Sequence, residues 1–209
     1  MEKFIEQGYQ SKSGVFEYLL VANPDQNVYN KVMLEKQFFT DRYKEKMAVK
    51  TKPHITVAHF HAMEPMEETC IKWIQRICSQ YQSFTVALNN FSGFPAHTVY
   101  LRVQNPQPFR QLAKQFKVIE NYVRSNDMPA AKLITTAHVT IAENLSEEIY
   151  SKAIIEYSHR DFHAEFFATE LILLKRINQY YPCEKVMVFR FLPGQSNLLN
   201  LNNEQLVGG

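Results

Sequence analysis

Apolar and polar positions along the 209-residue chain alternate between two periods. Residues 16–22 (FEYLLVA) form a short apolar run closed by Asn23-Pro24, the pattern of a buried strand followed by a turn. From Val28 to about Tyr43, the residues Val28, Val32, Met33 and Phe39 fall near one face at helical spacing, with charges elsewhere. Lys52-Pro53 then introduces a β-branched run at 54–60 (HITVAHF), which reads as a second strand. Cys70, Trp73, Ile74, Ile77 and Tyr81 recur at helical spacing. Strands are predicted at 84–88 and 98–103, separated by turns at Asn89-Asn90 and around Gly93 and Pro95. Pro106 and Pro108 open one long helix whose apolar stripe is Phe109, Leu112, Ala113, Phe116, Ile119 and Val123. A strand at 137–142 (AHVTIA) precedes a helix with Ser146 as N-cap and Glu147 and Glu148 at its positive end. The last strands, 171–175 and 185–191, are joined through Tyr180-Tyr181-Pro182. Strands interleaved with helices argue for an α/β or α+β architecture.

Two of these strands carry nearly the same pentapeptide. HITVA at 54–58 and HVTIA at 138–142 differ only by exchanges of aliphatic residues and lie 84 residues apart. That period is too long for a solenoid and fits two related lobes, each giving one strand to a shared cleft. Alternation along a strand puts His54 with Thr56, and His138 with Thr140, on one face, while Ile55, Val57, Val139 and Ile141 turn into a core. By the same alternation, Ala58 and Ala142 continue the histidine face and leave room for a ligand. About a third of one His-x-Thr tripeptide is expected by chance in this composition, so one copy is weak; two, each in a strand and followed by aliphatic-Ala, are not.

An imidazole titrating near 6.5 serves as base or acid at neutral pH. Two opposed histidines, one neutral and one protonated, suffice to activate an attacking oxygen and protonate a departing one on either side of a phosphorus. Threonine hydroxyls beside them donate to the non-bridging oxygens of the pentavalent transition state. The catalytic candidates are therefore His54, Thr56, His138 and Thr140, and the scheme calls for no cofactor and no metal.

Charge narrows the substrate class. Twenty-three Lys+Arg against 21 Asp+Glu leave a formal charge of +2, too near balance to announce a protein that coats long nucleic acid and compatible with a small phosphorylated ligand or the end of an RNA. The three cysteines show no C-x-x-C. Cys70 and Cys78 fall on one predicted helix about 12 Å apart, beyond disulfide reach, so all three read as buried free thiols of a reducing compartment. The polar N-terminus shows no secretory signal and no apolar run is long enough to span a bilayer, which suggests a cytoplasmic protein.

The paired motifs, and Lys52-Pro53-His54-Ile55-Thr56-Val57 in particular, resemble the 2H phosphoesterase superfamily, the LigT-like or 2'-5' RNA ligase-like proteins. The likeness covers nearly the whole element order, residues 16–192. It implies an α+β fold, bilobal, with two pseudosymmetric lobes of antiparallel-rich sheet and flanking helices around a central cleft. The resulting expectation is a single bilobal domain at 1–193, a loosely held tail at 194–209, and a monomer. The resemblance also implies hydrolysis of a cyclic phosphate (a nucleoside 2',3'-cyclic phosphate, or an RNA terminus carrying one). Formation of 2'-5' RNA linkages, or binding of a nucleotide or RNA end without turnover, are the alternatives. Two positions depart from the RNA-processing bacterial members: Glu143 stands where those often carry Arg, and Ala58-His59-Phe60-His61 replaces an Arg-Phe-Leu-Gly-like segment. Both point away from the RNA-end subgroup and leave the four candidate residues in place.

Other chemistry-bearing residues read more plainly. His59 and His61, on a regularly alternating strand, face away from His54, and no ligand spacing completes a metal site around them. His97 sits at a turn, and His159 and His163 flank Arg160-Asp161 near a helix end. Tyr18, Tyr100, Tyr181 and the pair Lys175-Arg176 are candidates to line the cleft, with core or solvated positions the simpler expectation.

Overall fold

The computed structural model describes residues 14–194. The expected tail from 195 onward lies outside them; Gly194 is buried, its N–H donating to Ser83 Oγ at 2.7 Å. Among the described residues, nine strands form two sheets. The first contains β1 (Val15–Ala22), β2 (Ile55–Met63), β5 (Lys132–Leu133), β8 (Glu170–Arg176) and β9 (Glu184–Arg190) in the order β5-β2-β1-β8-β9. The second contains β3 (Phe84–Phe94), β4 (Thr98–Val103), β6 (His138–Ala142) and β7 (His163–Ala168) in the order β6-β4-β3-β7. Every pair within them is antiparallel.

The α-helices cross between the halves. Helix α1 (Gln26–Tyr43), which follows β1 of the first sheet, packs against β6 and β7 of the second, where α5 (Glu147–Ser158) covers β3 and β4. Helices α3 (Gln107–Gln115) and α4 (Lys117–Ser125), which follow β4 of the second sheet, pack against β2 of the first, and α2 (Glu67–Cys78) against β9. Each lobe is thus covered partly by helices that the other lobe's strands lead into. Polar contacts fix α1 against α5 and the residues just after it: Glu35 meets Arg160 at 2.8 Å, and Glu156 accepts from Tyr43 Oη at 2.7 Å and Arg42 at 3.0 Å. Gly93 lets α5 approach β3, because a Cβ there would stand 2.6 Å from Tyr150 Oη.

Local signals explain the helix ends. Asp25 caps α1 by accepting from Val28 N, and Ser146 caps α5 by accepting from Ile149 N, as its sequence position suggests. The long helix expected after Pro106 is instead two helices broken at Phe116. Its N–H still bonds Leu112 O, and its buried ring anchors the break. Strand β3 runs straight through Asn89-Asn90, expected as a turn. Asn90 takes a left-handed φ of 54° and the register with β4 slips there, so the pair forms a bulge. Asparagine favours both choices, and pairing with β7 on the other side keeps the strand continuous. Strand β7, which the sequence reading did not place, has a clean exposed–buried alternation starting at His163.

Buried side chains run continuously between sheets and helices. Tyr18 and Phe60 stack at 5.2 Å, and Phe84 meets the buried Phe109 edge-on at 5.1 Å. Cys70 and Cys78 are buried in α2, where burial pushes both thiols up to about 12; Cys183, expected inside, is exposed. No helix among the described residues is long and apolar enough to cross a membrane. Phe109→Ala should cost about 3–5 kcal/mol in chemical denaturation, because the ring is enclosed on all sides; a loss under about 1 kcal/mol would contradict that packing.

Candidate active site

Strands β2 and β6 lie against each other where the two sheets meet, which brings the two His-x-Thr motifs together. His54 immediately precedes β2 and His138 opens β6. Along each motif the histidine and threonine are half-buried and the residues between and after them are buried, as alternation requires.

Each imidazole is held in the same way. His54 Nδ1 lies 2.8 Å from Lys52 O, and His138 Nδ1 lies 2.7 Å from Thr136 O, in both cases the carbonyl two residues earlier. A carbonyl only accepts, so Nδ1 carries the proton and the neutral ring keeps its lone pair on Nε2. Phe94 packs edge-on to His138 at 5.0 Å and Tyr100 lies 4.9 Å from it, fixing that ring's rotation further.

Both histidines titrate below the ordinary imidazole value. For His54, burial is the main cause, opposed by the Lys52 carbonyl, reinforced by the Lys36 charge, opposed by Glu143 and reinforced by His138. For His138, burial again leads, opposed by the Thr136 carbonyl and Glu143. His54 therefore senses the charge state of the other motif's histidine.

A second symmetry lies in the backbone. Val21 pairs with Thr56 while Leu20 pairs with Ala58, so Val57 is an extra residue in β2. Tyr100 pairs with Thr140 while Val99 pairs with Ala142, so Ile141 is the extra residue in β6. Each motif thus contains a β-bulge at its fourth position. Two expectations from regular alternation are corrected by it. Ala58 and Ala142 do not continue the histidine face; the bulge turns them into the core, where they are 1% and 3% exposed. For the same reason His59 and His61 do not face away from His54. Beyond the bulge they return to its face, half-buried, opposite Leu19 and Glu17.

These two histidines border an ion pair. Arg176 Nε and Nη2 each reach Glu17 at 2.6 Å. His59 Nε2 stands 2.8 Å from Glu17 Oε1. Among the described residues no group of three or more His, Cys, Asp or Glu is placed to hold a metal ion. The remaining cleft candidates separate cleanly. Tyr100 reaches His138, whereas Tyr18 is a core residue donating to Glu67 at 2.8 Å, and Tyr181 is exposed between β8 and β9. Lys175 is not a solvated cation but pairs with Glu67 at 2.8 Å and lies over Phe16. His97 bonds Thr98 Oγ1, and His159 caps the end of α5.

Sequence reasoning missed Lys36. It is 1% exposed and donates to Ala48 O at 3.1 Å, Thr51 Oγ1 at 3.0 Å and Ile141 O at 3.2 Å. Its signal was present: Val28, Val32, Lys36 and Phe39 make one unbroken buried stripe on α1.

A model of the 2'-5' RNA ligase superfamily matches residues 34–179, most of the chain and both motifs. The chain belongs to the 2'-5' RNA ligase superfamily. This places it among the 2H phosphoesterases. Solved structures of similar fold include Escherichia coli LigT complexed with 3'-AMP, at 12% identity and a TM-score of 0.61 over 85% of this chain and 98% of that one. The TT0787 protein of Thermus thermophilus is similar at 12% identity and a TM-score of 0.63, over 86% and 100%. LigT in apo form matches at 14% identity and a TM-score of 0.61, over 86% and 99%. At these identities the likeness shows the fold. No curated protein sequence matches the chain.

Within this 2H phosphoesterase frame, Glu143 is the acidic group that both histidines feel, and it raises both. Glu143→Gln should therefore lower the titration midpoints of His54 and His138 together, read from their ring resonances by NMR. Unchanged midpoints in a folded variant would remove Glu143 from the electrostatics of the site.

Proposed function

We propose that the protein is a metal-independent phosphodiesterase that opens a cyclic phosphate, on a nucleoside 2',3'-cyclic phosphate or an RNA terminus, by acid–base catalysis between His54 and His138. The observation that carries this reading is the matched pair of Nδ1 bonds. They leave one Nε2 from each neighbouring strand as the atom able to exchange a proton. One Nε2 takes a proton from water as its oxygen bonds to phosphorus. The other gives its proton to the ribose oxygen as that P–O bond breaks. The Thr56 and Thr140 hydroxyls, each one alternation step from its histidine, donate to the non-bridging oxygens as charge builds on them.

With a ribose 5'-hydroxyl in place of water, one Nε2 takes the hydroxyl proton as its oxygen bonds to phosphorus and the other protonates the departing 3'-oxygen, which forms a 2'-5' linkage with the same machinery; membership of the 2'-5' RNA ligase superfamily favours keeping that second reading. Escherichia coli LigT has been crystallised with 3'-AMP, NADP+ and ATP, which supports a nucleotide as the kind of molecule the cleft accepts. Phe94 and Tyr100, 4.5 Å apart beside His138, offer aromatic surface for a sugar or base.

His54→Ala or His138→Ala should lower kcat on 2',3'-cyclic nucleotides by on the order of 10²–10⁴ with the fold retained, while EDTA leaves the wild-type rate unchanged. A panel of 2',3'-cyclic nucleotides, 3',5'-cyclic nucleotides and 2'-5' oligomers, each beside His54→Ala, tests this; strict metal dependence would sink the mechanism. Because both imidazoles are depressed, the pH profile of kcat/KM should be a narrow bell centred below about 6.5. It falls on the acid side as the base protonates and on the alkaline side as the acid loses its proton. A plateau reaching up to about pH 9 would contradict a two-histidine pair.

A further inference from the structure

The two bulged residues, Val57 and Ile141, each have a carbonyl tied toward the opposite motif. Val57 O accepts from Ile134 N at 2.9 Å, four residues before His138. Ile141 O accepts from Lys36 Nζ, which also holds Ala48 O and Thr51 Oγ1, the latter three residues before His54. One of these cross-ties is an ordinary backbone bond; the other is a buried ammonium.

That ammonium is costly to place there. Among the described residues no carboxylate lies within ion-pair distance of Nζ, and Glu35, its neighbour on α1, is taken by Arg160. An apolar residue would continue the stripe of α1 at less desolvation cost. The three bonds need three protons on nitrogen, which only the charged form supplies. The titratable groups whose charges couple to this site are Glu143 just past β6, His54 before β2, and His138, which couples to His54 and Glu143. The Lys36 charge is one of the influences that lower His54.

We propose that Lys36 is a positioning residue of the two-histidine site: it clamps the bulged residue of the second motif to the segment entering the first and so sets the two imidazoles relative to each other. The clamp stands on the hydrogen bonds, and its effect on turnover rests on the phosphodiesterase reading above. Burial lowers Lys36 to about 8, so the clamp begins to lose its charge just above neutral pH.

The test compares wild type with Lys36→Met, which keeps the length of the side chain and removes the charge. Histidine ring resonances are followed by NMR, and kcat and KM are measured on 2',3'-cyclic nucleotides. The expected result is a raised His54 midpoint, and kcat reduced about tenfold or more at near-constant KM. A folded variant with both midpoints and kcat unchanged would reduce Lys36 to a structural residue and overturn the proposal. If Lys36→Met does not fold, the wild-type titration is extended to about pH 10, past the range in which Lys36 deprotonates. A second inflection in the His54 resonance as Lys36 deprotonates supports the proposal, and a single-step His54 curve overturns it. Should no substrate turn over, the titrations still decide whether Lys36 acts on His54, so that failure of the enzymatic reading stays distinct from failure of this one.

Discussion

The site depends on a backbone irregularity. In β2 and again in β6, one residue more than the partner strand can match is inserted directly after the His-x-Thr triplet. A bulge bends its strand, disrupts the ladder locally and reverses the sense of every side chain beyond it. All three effects are used. The motif end of each strand presents its histidine and threonine, the carbonyl of the bulged residue becomes an anchor, and the continuation of β2 returns His59 and His61 to the same surface. Val57 O is held by Ile134, on the way to His138, and Ile141 O by Lys36, which also holds Thr51 on the way to His54, so each motif is tied to the segment that enters the other.

Each imidazole also has a local tether to the carbonyl two residues before it. The arrangement separates two tasks: short-range bonds choose the tautomer and aim the ring, and long-range bonds set the spacing. Titration of both rings is lowered by burial and raised by Glu143, and that of His54 is lowered further by the buried lysine.

The four candidate residues were legible because a repeated pentapeptide is a statement about sequence, and alternation over three residues survives any irregularity that follows. The mistakes began one residue later. Periodicity counts side chains in twos, and nothing in Thr56-Val57-Ala58 says that Val57 has no partner in β1; that depends on the register of Val21 and Leu20. The misplacement of Ala58, Ala142, His59 and His61 has this single cause. Asn90 is the converse case, since a turn-forming residue in a strand paired on both sides can yield a bulge instead of a turn. Lys36 was hidden by residue type: a cation in an apolar stripe reads as a solvated edge until the acceptors from residues 48, 51 and 141 are seen around it. The family resemblance extended to the architecture, but the crossing of α1 and α3–α4 between sheets is written in tertiary contacts alone.

The order of strands in the first sheet has a consequence for synthesis. Strand β1 is flanked by β2 and β8, and β8 by β9, so the central strand gains its second neighbour only when the last fifth of the described chain has been made. Until then one side of β1 offers unpaired N–H and C=O groups along an apolar strand, a template for pairing with another chain. A polypeptide emerging from its N-terminus cannot complete this sheet vectorially. Closure waits for residues 170–190, and the contacts that seal it span most of the sequence, the kind of topology that folds slowly. Truncation near the C-terminus, far from either histidine in sequence, therefore removes a wall of the sheet that carries the first of them.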